Sequence, residues 1–325
     1  MAWDSVPWFT EGGAEHSSEV ARLLAYAAFG GAEGVVGSAD LQVRALTTPA
    51  AAVQIRTGAC AVINRAQGGA YQAYAARLPV ADQIPIAGTG VSARSDLIVA
   101  RVENPYSYGE TWPNPPDPKV GPYVFTRVIS GVPKTTTSVR QVRSADSAIT
   151  LARIDIPANT TTVTQAMIKD LRDMVSPRRE RRLYTGFPSA LSTLTYSDNK
   201  WHNWPGEPAR WNIDVPLWAT KVKIVTTLAG FRMTKADVYA KMQNVFGGSL
   251  GQDTAIDDDQ GNNTRRSTIV LADSIGVPSS MRGTTQTLYL QTYMAKSETG
   301  DVSVDSATSI IADVEFSEAP DPEEG

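Results

Sequence analysis

Histidine is scarce in this chain: His16 and His202 are the only two in 325 residues. A Ser-His-Asp or Cys-His arrangement has to draw on one of them, because imidazole is the group that can pass a proton near neutral pH. His16 stands at the approach to a helix and His202 between Trp201 and Trp204. Neither lies near a Gly-x-Ser-x-Gly nucleophile turn, and no His/Glu metal spacing occurs. Gly30, Gly31 and Gly34 do not follow a strand pattern, and no Gly-Lys-Ser/Thr is present, so a phosphate loop is not indicated. A glycosidase needs two carboxylates about 5–9 Å apart across a cleft. The acids are plentiful, but no pair stands out. The residues therefore predict a protein without a catalytic centre.

Two clusters could bind rather than react. The 253–263 stretch holds Asp257, Asp258, Asp259, Gln260, Asn262 and Asn263. Oxygen ligands this dense could gather around Ca²⁺, with Asp257 and Asp259 as weak candidates. The spacing does not match an EF-hand loop, and such residues also favour plain turns between strands. No other metal and no cofactor is indicated. The second cluster is aromatic: Trp201, Trp204, Trp211 and Trp218, near Tyr196 and His202. Indole faces stack on sugar rings or fill partner pockets. Trp211 and Trp218 flank an apolar run and are read as core. Trp201, His202 and Trp204 lie in a polar stretch and are the candidates for contact with a glycan or partner. For the two tryptophans, exposed contact and core ring are both open.

Composition limits the classes. The net charge is −4 and the cations are dispersed, a poor footprint for nucleic-acid binding, which needs a basic face. The one basic cluster, Arg178, Arg179, Arg181 and Arg182 around Glu180, reads as a solvated hinge at 177–183. No apolar run approaches the roughly 18 residues of a membrane span, and the first residues do not resemble a secretion signal. Cys60 is the single cysteine. It excludes an intrachain disulfide and reads as a buried small hydrophobe.

The expected fold is mainly β: two sandwich- or barrel-like domains joined by a short helical linker, with one N-terminal helix. Residues 1–15 form an arm anchored by Trp3, Trp8 and Phe9, apolar enough to need a neighbour. A β-rich domain spans 16–176. It opens with a helix over 18–29, capped by Ser17 or Ser18 and ended by Gly30-Gly31. Alternating and apolar runs from 41 to 102 follow, the continuous run at 96–102 suiting a central strand. Its insertion at 104–122 carries six prolines and cannot sit inside a sheet. Thr164 caps a predicted helical stretch over 165–175, with Met167, Ile168, Leu171 and Met174 on one face and Pro177 as its stop. After the hinge, a sandwich spans 184–317. Residues 318–325 read as an acidic disordered tail.

Three stretches carry a resemblance. Thr57-Gly-Ala-Cys-Ala-Val-Ile63, then Ala93-Arg-Ser-Asp-Leu-Ile-Val-Ala-Arg-Val102, then Ile149-Thr-Leu-Ala-Arg-Ile-Asp-Ile-Pro-Ala-Asn159 with Thr164-Gln-Ala-Met-Ile-Lys-Asp-Leu-Arg172 stand in this order. Together they resemble the N-terminal region of minor tail and baseplate proteins of siphophages. Trp211-Asn-Ile-Asp-Val-Pro-Leu-Trp-Ala-Thr-Lys-Val-Lys-Ile224, Val277-Pro-Ser-Ser-Met-Arg-Gly283 and Asp305-Ser-Ala-Thr-Ser309 are similar to the sandwich tips of tail proteins from phages of actinobacteria. The resemblance implies a structural virion protein that reaches the tail tip or baseplate from the host cytoplasm. It also implies a homo-oligomer, a trimer by analogy, contacting other tail proteins and the host cell-wall polysaccharide. Met167, Asp170 and Arg172 are then assembly candidates alongside the aromatic arm: either copies of the 165–175 helix meet, with Asp–Arg pairs closing between subunits, or the helix packs on its own domain. The alternatives are a capsid or tail decoration protein without host contact, and a glycan-degrading tail enzyme.

Overall fold

The computed structural model describes residues 17–106, 121–195, 198–259, 261–296 and 300–321. It divides into two compact units, Met1–Pro177 with Ala319–Gly325, and Arg178–Glu318. The chain is mainly β, and every pairing between its strands is antiparallel. Trp3, Trp8, Phe9 and His16, with most of the proline-rich insertion, lie outside the described residues.

The first unit opens with α1 (Ser18–Ala28). Ser17 Oγ accepts from Val20 N, Glu19 favours the first turn, and Gly30 and Gly31 leave the helix at φ 61° and 73°. Strands β1 (Gly34–Val35), β2 (Val43–Ala50), β3 (Ala52–Ile55), β4 (Gly58–Ile63), β5 (Ala73–Leu78) and β6 (Asp82–Pro85) form two small sheets, ordered β1-β4-β5 and β2-β3-β6. Gly58 in the first resembling stretch is obligatory, because a Cβ there would stand 2.6 Å from Asp40 Cα. A third sheet joins β7 (Arg94–Val102), β8 (Val124–Val132), β9 (Ala148–Ile156) and β10 (Ile168–Asp170) in the order β10-β9-β7-β8.

Strand β7 is apolar from Leu97 to Ala100 because both its faces are covered there. Ile98, Ala100 and Val102 join Leu41, Val53, Ile55, Leu78, Leu151 and Ile154 in the main core, while Leu97 and Val99 meet Val132, Val139 and Ala148 behind it. Asp96 is fully buried at a β-bulge and accepts from Arg94 Nε at 2.8 Å, Arg94 Nη2 at 2.8 Å and Gly131 N at 3.0 Å. A buried carboxylate persists only with such compensation. Cys60 on β4 is buried, and burial, followed by the charge of Asp40, pushes its thiol up to about 12. Alkylation needs the thiolate. A thiol reagent is therefore expected to leave the native protein unlabelled and to modify it fully in denaturant. Rapid labelling of the native chain would contradict this burial.

Three sequence expectations change here. The 165–175 stretch is a 3₁₀ turn, Gln165–Met167, followed by β10 on the edge of β9, with Ile168 opposite Ile154 and Asp170 opposite Ala152. A lone helix this short is marginal, and pairing satisfies the backbone groups of the β9 edge. Met167, Ile168 and Met174 pack partly buried on their own core, so they do not form a linker helix. Asp170 and Arg172 pair within the chain: the guanidinium donates to Asp170 and to the carbonyls of Ser38, Asp40 and Asp321. The tail is ordered as far as the structure describes it. Asp321 is 6% exposed, its N–H donates to Ser38 O, and its carbonyl also accepts from Gln42 Nε2 at 3.1 Å.

The third change is the basic hinge, which is a strand of the second unit. Strand β11 (Arg179–Gly186) pairs along its whole length with the last strand of the chain, Ser309–Ser317. Its cations face acids: Arg178 holds Glu318 through Nε and Nη2 at 2.8 and 2.7 Å, Arg181 pairs with Asp313, and Arg182 with Glu180. The run stays solvent-exposed, but it is strand backbone, with Arg181 paired across to Asp313 and Arg182 to Glu180 on its own strand. Strands β12 (Ser192–Thr193), β13 (Trp201–Asn203), β14 (Arg210–Asp214), β15 (Lys221–Thr234), β16 (Val238–Phe246), β17 (Ser249–Leu250) and β18 (Thr254–Asp258) follow. The unit ends with β19 (Arg265–Gly276), β20 (Thr285–Met294), β21 (Asp301–Val304) and β22 (Ser309–Ser317). One sheet carries β11, β22, β15, β19, β21 and β12. The other is built on β16 and β20, with β13 and β14 along the free side of β20 and β17 and β18 along β16. Leu228, Phe231, Ile224 and Phe316 from the first sheet meet Met242, Phe246, Leu288 and Leu290 from the second, a sandwich core.

Candidate functional site: an aromatic and amide face on the second unit

Strand β20 alternates strictly. Leu288, Leu290, Thr292 and Met294 are buried, while Tyr289, Gln291 and Tyr293 are partly exposed on the opposite, outward face. Antiparallel register sets their neighbours. Trp201 and Lys241 flank Tyr293, Asn203 and Gln243 flank Gln291, and Arg210 and Val245 flank Tyr289. Residues directly opposite share a face, so the side chains form three rungs, exposed or partly exposed on the β13, β14 and β20 side and buried at Gln243 and Val245 on β16.

The first rung is aromatic. The Trp201 and Tyr293 rings stand 5.9 Å apart, tilted by 51°. Asn199, in left-handed backbone at φ 62°, accepts from Tyr293 Oη at 3.1 Å and from Lys296 N at 2.9 Å, which fixes the phenol. The middle rung is a chain of carboxamides: Gln243 Nε2 donates to Gln291 Oε1 at 3.1 Å, and Gln291 Nε2 donates to Asn203 Oδ1 at 3.2 Å. In the third rung the Arg210 guanidinium lies 5.2 Å over the Tyr289 ring.

Two charged pairs form on the strands that carry this face. Lys241 Nζ meets Asp253 Oδ2 at 2.9 Å, an interaction that lowers the Asp253 carboxyl and raises the Lys241 amine. His202 Nε2 lies 2.9 Å from Asp198 Oδ1, and this hydrogen bond holds the Asp198 carboxyl below the usual carboxylate range.

The three residues expected to act together are divided by the strand period. Trp201 is outward. His202 stands opposite buried Thr292 and turns the other way, toward Asp198. Trp204 is 6% exposed and belongs to the core with Leu290 and Met294. Its indole N–H has no acceptor among the described residues. Trp204 as an exposed contact is therefore corrected: continuing the alternation from outward Asn203 sends its ring inward. Trp211 and Trp218 pack against the core as expected.

Asp257 and Asp259 are exposed, and Asp258 pairs with Arg265. Among the described residues no group of three or more His, Cys, Asp or Glu side chains converges. The residues that sequence reasoning missed are Tyr289, Gln291, Tyr293, Gln243 and Asn203. The signal for the first three was present: Thr287, Tyr289, Gln291 and Tyr293 alternate with Leu288, Leu290 and Thr292.

No family model and no curated protein matches this chain. Solved structures with some likeness include the infectious bursal disease virus VP2 subviral particle, 12% identical over 90% of this chain and 79% of that one, with a TM-score of 0.27. Others are the insecticidal delta-endotoxin Cry8Ea1 of Bacillus thuringiensis, 10% identical over 88% and 52% with a TM-score of 0.20, and dimeric latent PorU of Porphyromonas gingivalis. The PorU match is 11% identical over 92% and 26%, with a TM-score of 0.24. Likeness at such scores assigns neither a shared topology nor a role to the chain.

Proposed function

We propose that this chain is a non-enzymatic structural protein of a virion, a phage tail-tip or baseplate subunit. Its first unit serves assembly and its second contacts a glycan on the host surface. The observation that carries the reading is the outward face of β20, where aromatic rings and ordered carboxamides lie together, with Lys241 paired to Asp253 and Arg210 stacked over Tyr289. Such a surface binds by stacking and hydrogen bonding and offers no group for bond cleavage.

The stretches behind the resemblance support it. The second and third contain β7 and β9, which pair with each other, and the Arg94–Asp96 pair sits at the start of β7. Assembly is supported by α1. Val20, Leu23 and Leu24 are 63%, 49% and 54% exposed, an apolar stripe turned away from β5. Exposed apolar stripes of this kind are buried in assemblies. Leu23→Arg with Leu24→Arg is expected to convert an oligomer, a trimer on this reading, into a monomer in sedimentation velocity runs. An unchanged sedimentation coefficient would remove α1 from the interface.

Gold-labelled antibody against the second unit, imaged on intact particles, tests the placement. Label at the distal end of the tail is the expected result. Label over the capsid or along the tube, or none on any particle, would replace this reading with a decoration role or a non-virion one.

A further inference from the structure

Resting on the proposed contact with a host glycan, we infer that the ligand is an extended, neutral polysaccharide bound along β20, held by Trp201, Tyr293 and Tyr289 and read by the Asn203–Gln291–Gln243 amide chain. Tyr289 and Tyr293 are four residues apart on one strand, about 13 Å, so the rings grip an oligosaccharide at two places and not a single sugar. A pyranose presents an apolar face of C–H bonds, which stacks on an aromatic ring, and an equatorial belt of hydroxyls, which both donate and accept. The middle rung supplies the complement. A carboxamide has two N–H donors and two lone pairs, and Gln291 spends one donor and one acceptor on its neighbours. One donor and one lone pair of its amide are left for a ligand. Gln243 is 5% exposed and forms the floor, locking Gln291 in one orientation before ligand arrives.

The charges decide between neutral and anionic polymers. Lys241 is bound to Asp253 and Arg210 is stacked over Tyr289. An anionic chain would have to break the Lys241–Asp253 pair to gain that ammonium, which leaves the single guanidinium of Arg210 as its counter-charge on this face. A neutral one loses nothing.

Isothermal titration of the full chain tests this, with soluble galactan and glucan fractions as neutral probes and hyaluronate as the anionic one. At least one neutral fraction is expected to bind, hyaluronate at least tenfold more weakly, and Tyr289→Ala and Gln291→Ala each to reduce affinity by about tenfold or more. Both side chains are partly exposed, so thermal melting close to that of the parent chain verifies folding. Val270→Ser, on exposed β19, should bind as the parent does. Neutral binding unchanged in both variants overturns the site while leaving a glycan contact in place. Preference for hyaluronate, or attachment to cells without binding to any neutral fraction, overturns the neutral assignment. Failure to attach to cells at all sinks the reading beneath it.

Discussion

Arg172→Ala is expected to destabilise the first unit by about 3–5 kcal/mol, the loss typical of removing one partner from a buried ion pair. The Arg172 side chain is 0% exposed. Its Nε and Nη2 hold Asp170 at 2.9 and 2.6 Å, and Nη1 donates to the carbonyls of Ser38 at 3.0 Å and Asp40 at 2.6 Å. Nη2 also reaches the carbonyl of Asp321. One planar fork thus ties the β10 segment, the 38–40 turn and the returning end of the chain. Truncation strands a carboxylate and several carbonyls at once. Lysine is not a substitute, because a single ammonium cannot address acceptors on so many sides. Urea titration followed by exposure of the Cys60 thiol reports this unit specifically. A change under about 1 kcal/mol would mean that the cluster is solvated and adds little.

Trp204→Ala is expected to cost the second unit about 3–5 kcal/mol and to leave the outward face chemically intact. Its ring fills the core beside Leu290, Met294 and Ala209, so truncation opens a cavity that the two sheets cannot close. Trp204→Phe separates packing from polarity. The indole N–H is buried without an acceptor among the described residues, so removing it relieves an unsatisfied donor, and Phe should recover most of the loss. Trp201→Ala is the opposite case: a stability change of about 0.5 kcal/mol with glycan binding reduced. Denaturant unfolding and binding measured on the same preparations distinguish the two tryptophans. If Trp204→Ala unfolds at the parent midpoint and loses binding, the assignments of the two rings are reversed.

The contrast between Trp201 and Trp204 shows where sequence reasoning reached its limit. Both stand in one polar stretch, and composition alone treats them alike. Direction is set by strand period, and the period becomes visible only once Trp201 is known to sit opposite Tyr293. Continuous apolar runs were legible without pairing. Strand β7 has the same character on both faces, so no choice of face was needed, and α1 was marked by its serine cap and paired glycines. The 165–175 stretch misled because Met167, Ile168, Leu171 and Met174 fit a helical stripe. The free edge of β9 offered backbone partners that no local pattern reveals. The arginines at 178–182 misled for a related reason, since their acids Asp313 and Glu318 lie at the far end of the sequence. The proposed site was half legible: the tryptophan cluster lies on the unit that carries it, but the amide chain draws on three strands distant in sequence.

A surface that holds a polysaccharide and leaves it whole is the central property proposed for this chain. Incubating the full chain with host envelope polysaccharide, then measuring both retained protein and polymer length, tests that directly. Saturable retention with an unchanged length distribution and no new reducing ends is the predicted result. Progressive shortening of the polymer would contradict it and reveal a catalytic centre in place of a binding face.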